Sequence, residues 1–122
     1  MVPECLARYA DVNKALSDAE NLRDSLLSMP AELRLDTEVT FLDSQITDLK
    51  RELADLDKET EKIYELLKER DNRAYLATVL HFKVGLKWET VAEYIGGNST
   101  ESVKMTSYRY LKALSDEGLI DE

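Results

Sequence analysis

One cysteine, one histidine, two prolines and four glycines are all that interrupt this 122-residue chain. A lone Cys5 cannot close an internal disulfide, so a cytoplasmic home is expected. No metal-ligand spacing exists, and no glycine-rich loop leads into a Lys-Ser pair, so neither a metal centre nor a phosphate-binding loop is expected. His81 lies in an apolar helical stretch and reads as a core or edge side chain. Cys5 has no histidine near it in sequence and reads as an inert thiol. The many acids recur at helical spacing along a solvated face and form no dyad. No catalytic residue, cofactor or enzyme activity is expected. No apolar run approaches bilayer length. The opening "MVPECLARYADVNK" lacks the basic start and apolar core of a secretion signal.

Scarce Gly and Pro, set against abundant Ala, Leu, Glu and Lys, favour helix almost throughout. No strand signal, internal repeat or low-complexity tract is present. Hydrophobic residues make up 43% and charged residues 34%, which suits a soluble helical protein rather than a disordered one. The net charge of -9 is unevenly spread. Residues 1–69 hold nine Lys/Arg against seventeen Asp/Glu, a balance of -8. Residues 70–115 hold seven against four, or +3, and the remaining tail contributes -4. The acidity belongs to the flanks, so whole-chain charge misdescribes the basic segment between them.

Leu6, Tyr9, Val12, Leu16, Ala19, Leu22 and Leu26 recur at steps of three and four, predicting one amphipathic helix over 4–28, with Pro3 in its first turn. Pro30 ends it. Asp36 or Thr37 can cap the second helix. Val39, Leu42, Ile46, Leu49, Leu53, Leu56, Thr60, Ile63 and Leu67 then alternate strictly in threes and fours, an a/d seam of four heptads with Thr60 its only polar member. This seam must be covered, either by the first helix packed back as an antiparallel hairpin or by a second copy of the chain. Leu42, Ile46, Leu49, Leu53, Leu56 and Ile63 are the expected dimer or partner interface.

Past residue 70, Asn72 is a candidate cap or kink. Tyr75, Leu76, Val79, Leu80 and Phe82 or Val84 predict a third helix, closed by Gly85 in the left-handed conformation. Trp88, Val91, Ala92 and Ile95 face inward on a short fourth helix. Val103, Tyr110, Leu111 and Leu114 do so on a fifth that ends before Gly118. The expected class is all-α: a helical hairpin or coiled coil over 1–70, then a three-helix module over 71–122.

Within that module, "WETVAEYIGGNSTESVKMTSYRYLKAL" has the layout of a helix-turn-helix. Ala92 is small enough for two helices to cross closely, and Gly96, four residues on, supplies a positive φ at the corner. Asn98 is the expected N-cap of the second motif helix, with Glu101 completing a capping box or else facing bases. Val103 follows Gly96 by seven residues where six is common, so the turn is one residue longer. Thr100, Lys104, Met105, Tyr108, Arg109 and Lys112 line the outward face, and the helix start near Ser99 can aim amides at a phosphate.

This stretch resembles the region-4-like helix-turn-helix of sigma factors. It is more similar to small phage and prophage regulators of Gram-positive bacteria, which share a Trp–Glu pair before the first motif helix, a "GGN" turn, a closing "RYL" and an N-terminal heptad hairpin. The resemblance implies Thr100, Lys104, Met105, Tyr108, Arg109 and Lys112 as the DNA face. It implies Trp88, Val91, Ala92, Ile95, Val103 and Leu111 as the core. The chain lacks the other promoter-binding regions of a full sigma factor, so it is not expected to initiate transcription alone.

The expected function is sequence-specific binding of double-stranded DNA, as a homodimer, with the hairpin supplying dimerisation or a contact to RNA polymerase. A second expectation comes from the acidic flank. An adaptor or inhibitor could mimic DNA against a host nucleic-acid enzyme, although intermixed acids and bases such as "KRELADLDKETEK" disfavour it. A coiled-coil helper in phage assembly would explain the heptads but not the glycine corner.

Overall fold

The computed structural model describes residues 2–97 and 99–120, and every regular element within them is helical. The helices are α1 (Glu4–Leu27), α2 (Asp36–Arg70), α3 (Asn72–Thr78), α4 (Trp88–Ile95) and α5 (Thr100–Asp116). A 3-10 turn, Ala31–Leu33, lies between α1 and α2, and a π turn, Val79–Lys83, continues α3. No helix among the described residues is long and apolar enough to cross a membrane.

The helix boundaries obey local chemistry. The Pro3 carbonyl accepts the first bonds of α1, from the N–H groups of Leu6 and Ala7, where a proline costs nothing. Asp36 and Thr37 sit inside the first turn of α2 rather than capping it, because the Val39 N–H bonds to the Leu35 carbonyl at 3.0 Å. Between α2 and α3 the cap is Asp71, not Asn72. Asp71 has extended backbone, and its carboxylate accepts from the Ala74 N–H at 3.0 Å.

Contacts divide the chain into two compact units: residues 11–55, and the chain before and after them. The expected division at residue 70 marks the end of α2, whereas the units group residues by contact. In the second unit Leu6, Ile63, Tyr64 and Leu67 share one core with Phe82, Leu111 and Leu114. Leu6, Leu67, Leu111 and Leu114 are fully enclosed. Each such side chain contributes roughly 1.5–3 kcal/mol by leaving water. Thr60 is also buried, and its hydroxyl is satisfied by donating to the Leu56 carbonyl at 2.8 Å.

In the 11–55 unit, Val12, Leu16, Leu42 and Ile46 are buried. One expected inward residue of α1 is displaced. Leu22 is exposed, while Arg23 is half-buried and donates to the Asp43 carboxylate at 3.3 Å. The reason is register. From Val12, strict alternation of four and three runs through Leu16, Ala19, Arg23 and Leu26, and Leu22 falls one position outside it. Of the expected interface, Leu42, Ile46, Leu56 and Ile63 are already buried within one chain, and Leu49 and Leu53 are half-buried.

Candidate nucleic-acid interface

Three short helices create the candidate surface. α3, α4 and α5 pack against one another pairwise. Ala77 of α3, Val91 and Ala92 of α4 and Val103 of α5 form one buried cluster. Ala92, expected to let two helices cross closely, lies in this cluster with a second alanine, Ala77. Ser107, not expected at the core, is fully buried and lies 2.7 Å from the Thr78 hydroxyl. The Thr78 O–H donates to the Ala74 carbonyl at 2.7 Å, so the Ser107 O–H must donate to Thr78 Oγ1. The sequence signal for Ser107 was present: it lies midway between Val103 and Leu111 at steps of four.

The corner between α4 and α5 needs glycine for its dihedrals, not for space. Gly96 has φ 74° and ψ 161°, a region essentially reserved for glycine, and Gly97 also has φ 74°. A Cβ at either position would meet nothing within 4 Å. The Gly96 N–H closes α4 onto the Ala92 carbonyl at 2.8 Å, and the Gly96 carbonyl accepts from the Arg73 guanidinium at 2.9 Å. Arg73 thus ties α3 to the corner. No sequence pattern marks that bond, because the partners are 23 residues apart.

Asn98, the expected N-cap of α5, lies outside the described residues. The N-cap is Ser99, whose hydroxyl accepts from the Ser102 N–H at 3.1 Å. Counting three residues from Ser99 reaches Ser102, so Glu101 completes no capping box there. It is exposed in the first turn, where a carboxylate suits the helix dipole.

The expected contact residues divide into two groups. Met105, Arg109 and Lys112 are exposed and succeed one another at steps of four and three, which aligns them on one face. Glu101 and Asp116 extend the same stripe at its two ends, and both are exposed. Thr100, Lys104 and Tyr108 are half-buried on the flank of that stripe. The Lys104 ammonium lies 5.8 Å over the Tyr108 ring, and Tyr108 meets Trp88 edge-on at 5.9 Å. Tyr108 therefore works largely as packing, with Lys104 laid across it. Among the described residues Lys104, Arg109 and Lys112 make no ion pair. Two other cations of the basic segment are occupied: Arg70 makes a two-pronged bond to Glu117, and Lys83 lies 3.8 Å from Asp57.

No known protein family, curated protein or solved structure matches this chain.

Behind Tyr108, Trp88 stacks on His81 at 4.0 Å with the rings 15° from parallel, and Phe82 meets both edge-on. The π turn contributes His81 and Phe82 to this cluster. Its extra residue is visible in the Val84 N–H bonding back to Val79. His81 Nδ1 lies 2.8 Å from the Leu86 carbonyl, which can only accept, so Nδ1 carries the proton. Burial holds the imidazole pKa below its usual value, with Lys104 pushing the same way against the Leu86 hydrogen bond. Its geometry is that of a neutral packing residue. Burial likewise raises the Cys5 thiol, keeping it protonated. Among the described residues no three His, Cys, Asp or Glu side chains gather as a metal site. A groove of about 430 Å³ beside α2 and α3 has Tyr64 and Tyr75 among its lining residues, and neither His81 nor Cys5 lines it.

Proposed function

We propose that the chain is a DNA-binding transcriptional regulator of the phage type, reading double-stranded DNA with α5. The observation that carries this reading is the two-sidedness of α5. Val103, Ser107, Leu111 and Leu114 lock one side into the core, while Met105, Arg109 and Lys112 stand exposed on the other. A helix held rigidly by its back and presenting cations and an apolar side chain suits a major groove. The glycine corner, with positive φ at Gly96 and Gly97, supports the comparison with a region-4-like helix-turn-helix, and its extra residue departs from the usual spacing. Ser99, Thr100, Lys104 and Met105 lie toward the helix start, the end that usually reaches base edges. Arg109 and Lys112, further on, suit phosphates.

Few cations face outward, so affinity of a single module is weak and is lost as salt rises, with a slope set by the few phosphates it neutralises. The test is fluorescence anisotropy of the full chain against a randomised pool of DNA duplexes, with selection of the tightest binders. Binding at low salt that is abolished by Arg109→Glu and by Lys104→Glu is expected. Absence of any binding at low salt defeats the reading.

The contrasting reading, an acidic adaptor for a host nucleic-acid enzyme, draws support from the acid excess of the hairpin. It predicts a stable complex that survives nuclease treatment and ignores the α5 substitutions.

A further inference from the structure

The hairpin end of the 11–55 unit carries an unusual concentration of exposed apolar side chains. Leu22, Leu27, Leu33, Leu35 and Phe41 are all exposed, Leu33 at 59% and Phe41 at 62%. They straddle the reversal between α1 and α2. Leu22 and Phe41 each lie five residues from the adjoining helix end, roughly 8 Å along the axis. Scattered single leucines are ordinary on a surface, but five exposed apolar side chains within twenty residues are not scattered.

The charge around this tip is one-sided. Between Lys14 and Lys50 there is no lysine, and eight acids face two arginines. Both arginines are engaged internally, Arg23 with Asp43 and Asp24, and Arg34 with the Leu27 carbonyl. The occupant of the tip must therefore bring apolar surface framed by positive charge.

The same chain presents such a surface elsewhere. At its centre the α5 stripe offers exposed Met105 with Arg109 and Lys112, with Lys104 on its flank, while the acids Glu101 and Asp116 stand only at its two ends. Most of the heptad seam cannot serve, since Leu42, Ile46, Leu56 and Ile63 are buried within one chain. Tip-to-tip pairing would oppose two acidic surfaces. We propose that the acidic, leucine-rich tip of one copy docks on the basic α5 face of a second copy. This is a head-to-tail contact between two different surfaces of the same protein. It deepens the DNA-binding reading, on which one part rests: the tip and DNA compete for Met105, Arg109 and Lys112, so self-association masks the reading face until DNA displaces it.

Sedimentation velocity of the full chain over a range of concentrations and salt tests the contact without DNA. Association at low salt that weakens as salt rises is expected, because opposite charges attract across the interface. Leu33→Glu with Phe41→Glu, and separately Arg109→Glu with Lys112→Glu, each weaken it by about tenfold or more. Mixing the Arg109→Glu, Lys112→Glu chain with an Asp36→Lys, Glu38→Lys chain restores association, since the first keeps an intact acidic tip and the second an intact α5 face. That rescue separates a contact from misfolding. A chain that stays monomeric at low salt overturns the proposal. So does association that strengthens with salt and ignores the α5 substitutions, the signature of tip-to-tip pairing. Adding a selected duplex should dissolve the association. Association without DNA binding leaves the docking standing and sinks the DNA reading, whereas DNA binding by a strict monomer does the reverse.

Discussion

The Ser107 hydroxyl donates to the Thr78 hydroxyl across 2.7 Å in the fully buried contact between α5 and α3. This polar link lies inside the core that holds the candidate reading helix, and Thr78 passes the bond on to Ala74. Replacing Ser107 by Ala keeps the Thr78–Ala74 bond and removes one hydrogen bond, so a loss of about 1 kcal/mol is expected. Ser107→Val adds bulk to a closed site and should cost about 1–3 kcal/mol more. Urea denaturation of the two variants measures both, and a Val variant as stable as wild type would show that this contact is loosely packed.

At the corner, Gly96→Ala forces a side chain into a backbone conformation that excludes one, even though space is free. The expected cost is roughly 1–3 kcal/mol. Arg73→Ala removes the guanidinium from the Gly96 carbonyl and should loosen the corner with less global effect. Hydrogen exchange should quicken at the first amides of α5 in this variant while the amides of α2 stay protected. Equal quickening in both helices would contradict a local role for Arg73.

Acid should weaken the tie between α2 and the end of α5. The Arg70 guanidinium holds the Glu117 carboxyl below the usual carboxylate range by direct hydrogen bonding. A carboxyl whose folded pKa is depressed stabilises the fold above its unfolded pKa, roughly pH 4 to 5. That contribution is lost as pH falls through the lower, folded value. Wild type should therefore melt above Glu117→Gln at neutral pH, and the gap should close on acidification. The pair is partly exposed, so the gap is small. A gap that persists below the folded pKa would rule out charge as its source.

His81 and Trp88 are the only histidine and the only tryptophan, which makes their stack directly observable. Burial lowers the His81 pKa, so the fold favours the neutral ring and loses that preference as pH drops through the folded value. Proton NMR of the imidazole should show a midpoint below the ordinary 6.5. Trp88 emission should change with the same midpoint and cease to do so in His81→Phe. A midpoint at 6.5 would mean that the ring is more open to water than the stack implies.

Arg23 and Leu22 show how far pattern reading reached. The heptads of α2 were legible because one strict period runs from Val39 to Leu67. In α1 the period slips, and choosing the more hydrophobic of two neighbours put Leu22 inward, where the register places Arg23. The caps slipped for a similar reason. Asp71 and Ser99 each stand beside an equally good capping residue, and only backbone geometry selects between them. At the candidate interface, the identity of the outward residues could be read, but not which are occupied. Tyr108 is claimed by Trp88, and Lys104 by Tyr108.

By itself the sequence determined the helical class, the helix break at Pro30, the glycine corner and the split of charge between flanks and centre. These depend on local propensity, periodicity and backbone dihedrals, all of which act between near neighbours. Only the tertiary structure decided that Leu6 and Leu67 belong to the core beneath α5, that Ser107 meets Thr78, and that Arg73 braces Gly96. Those contacts join residues 23 or more positions apart, and nothing in the local chemistry of either partner names the other.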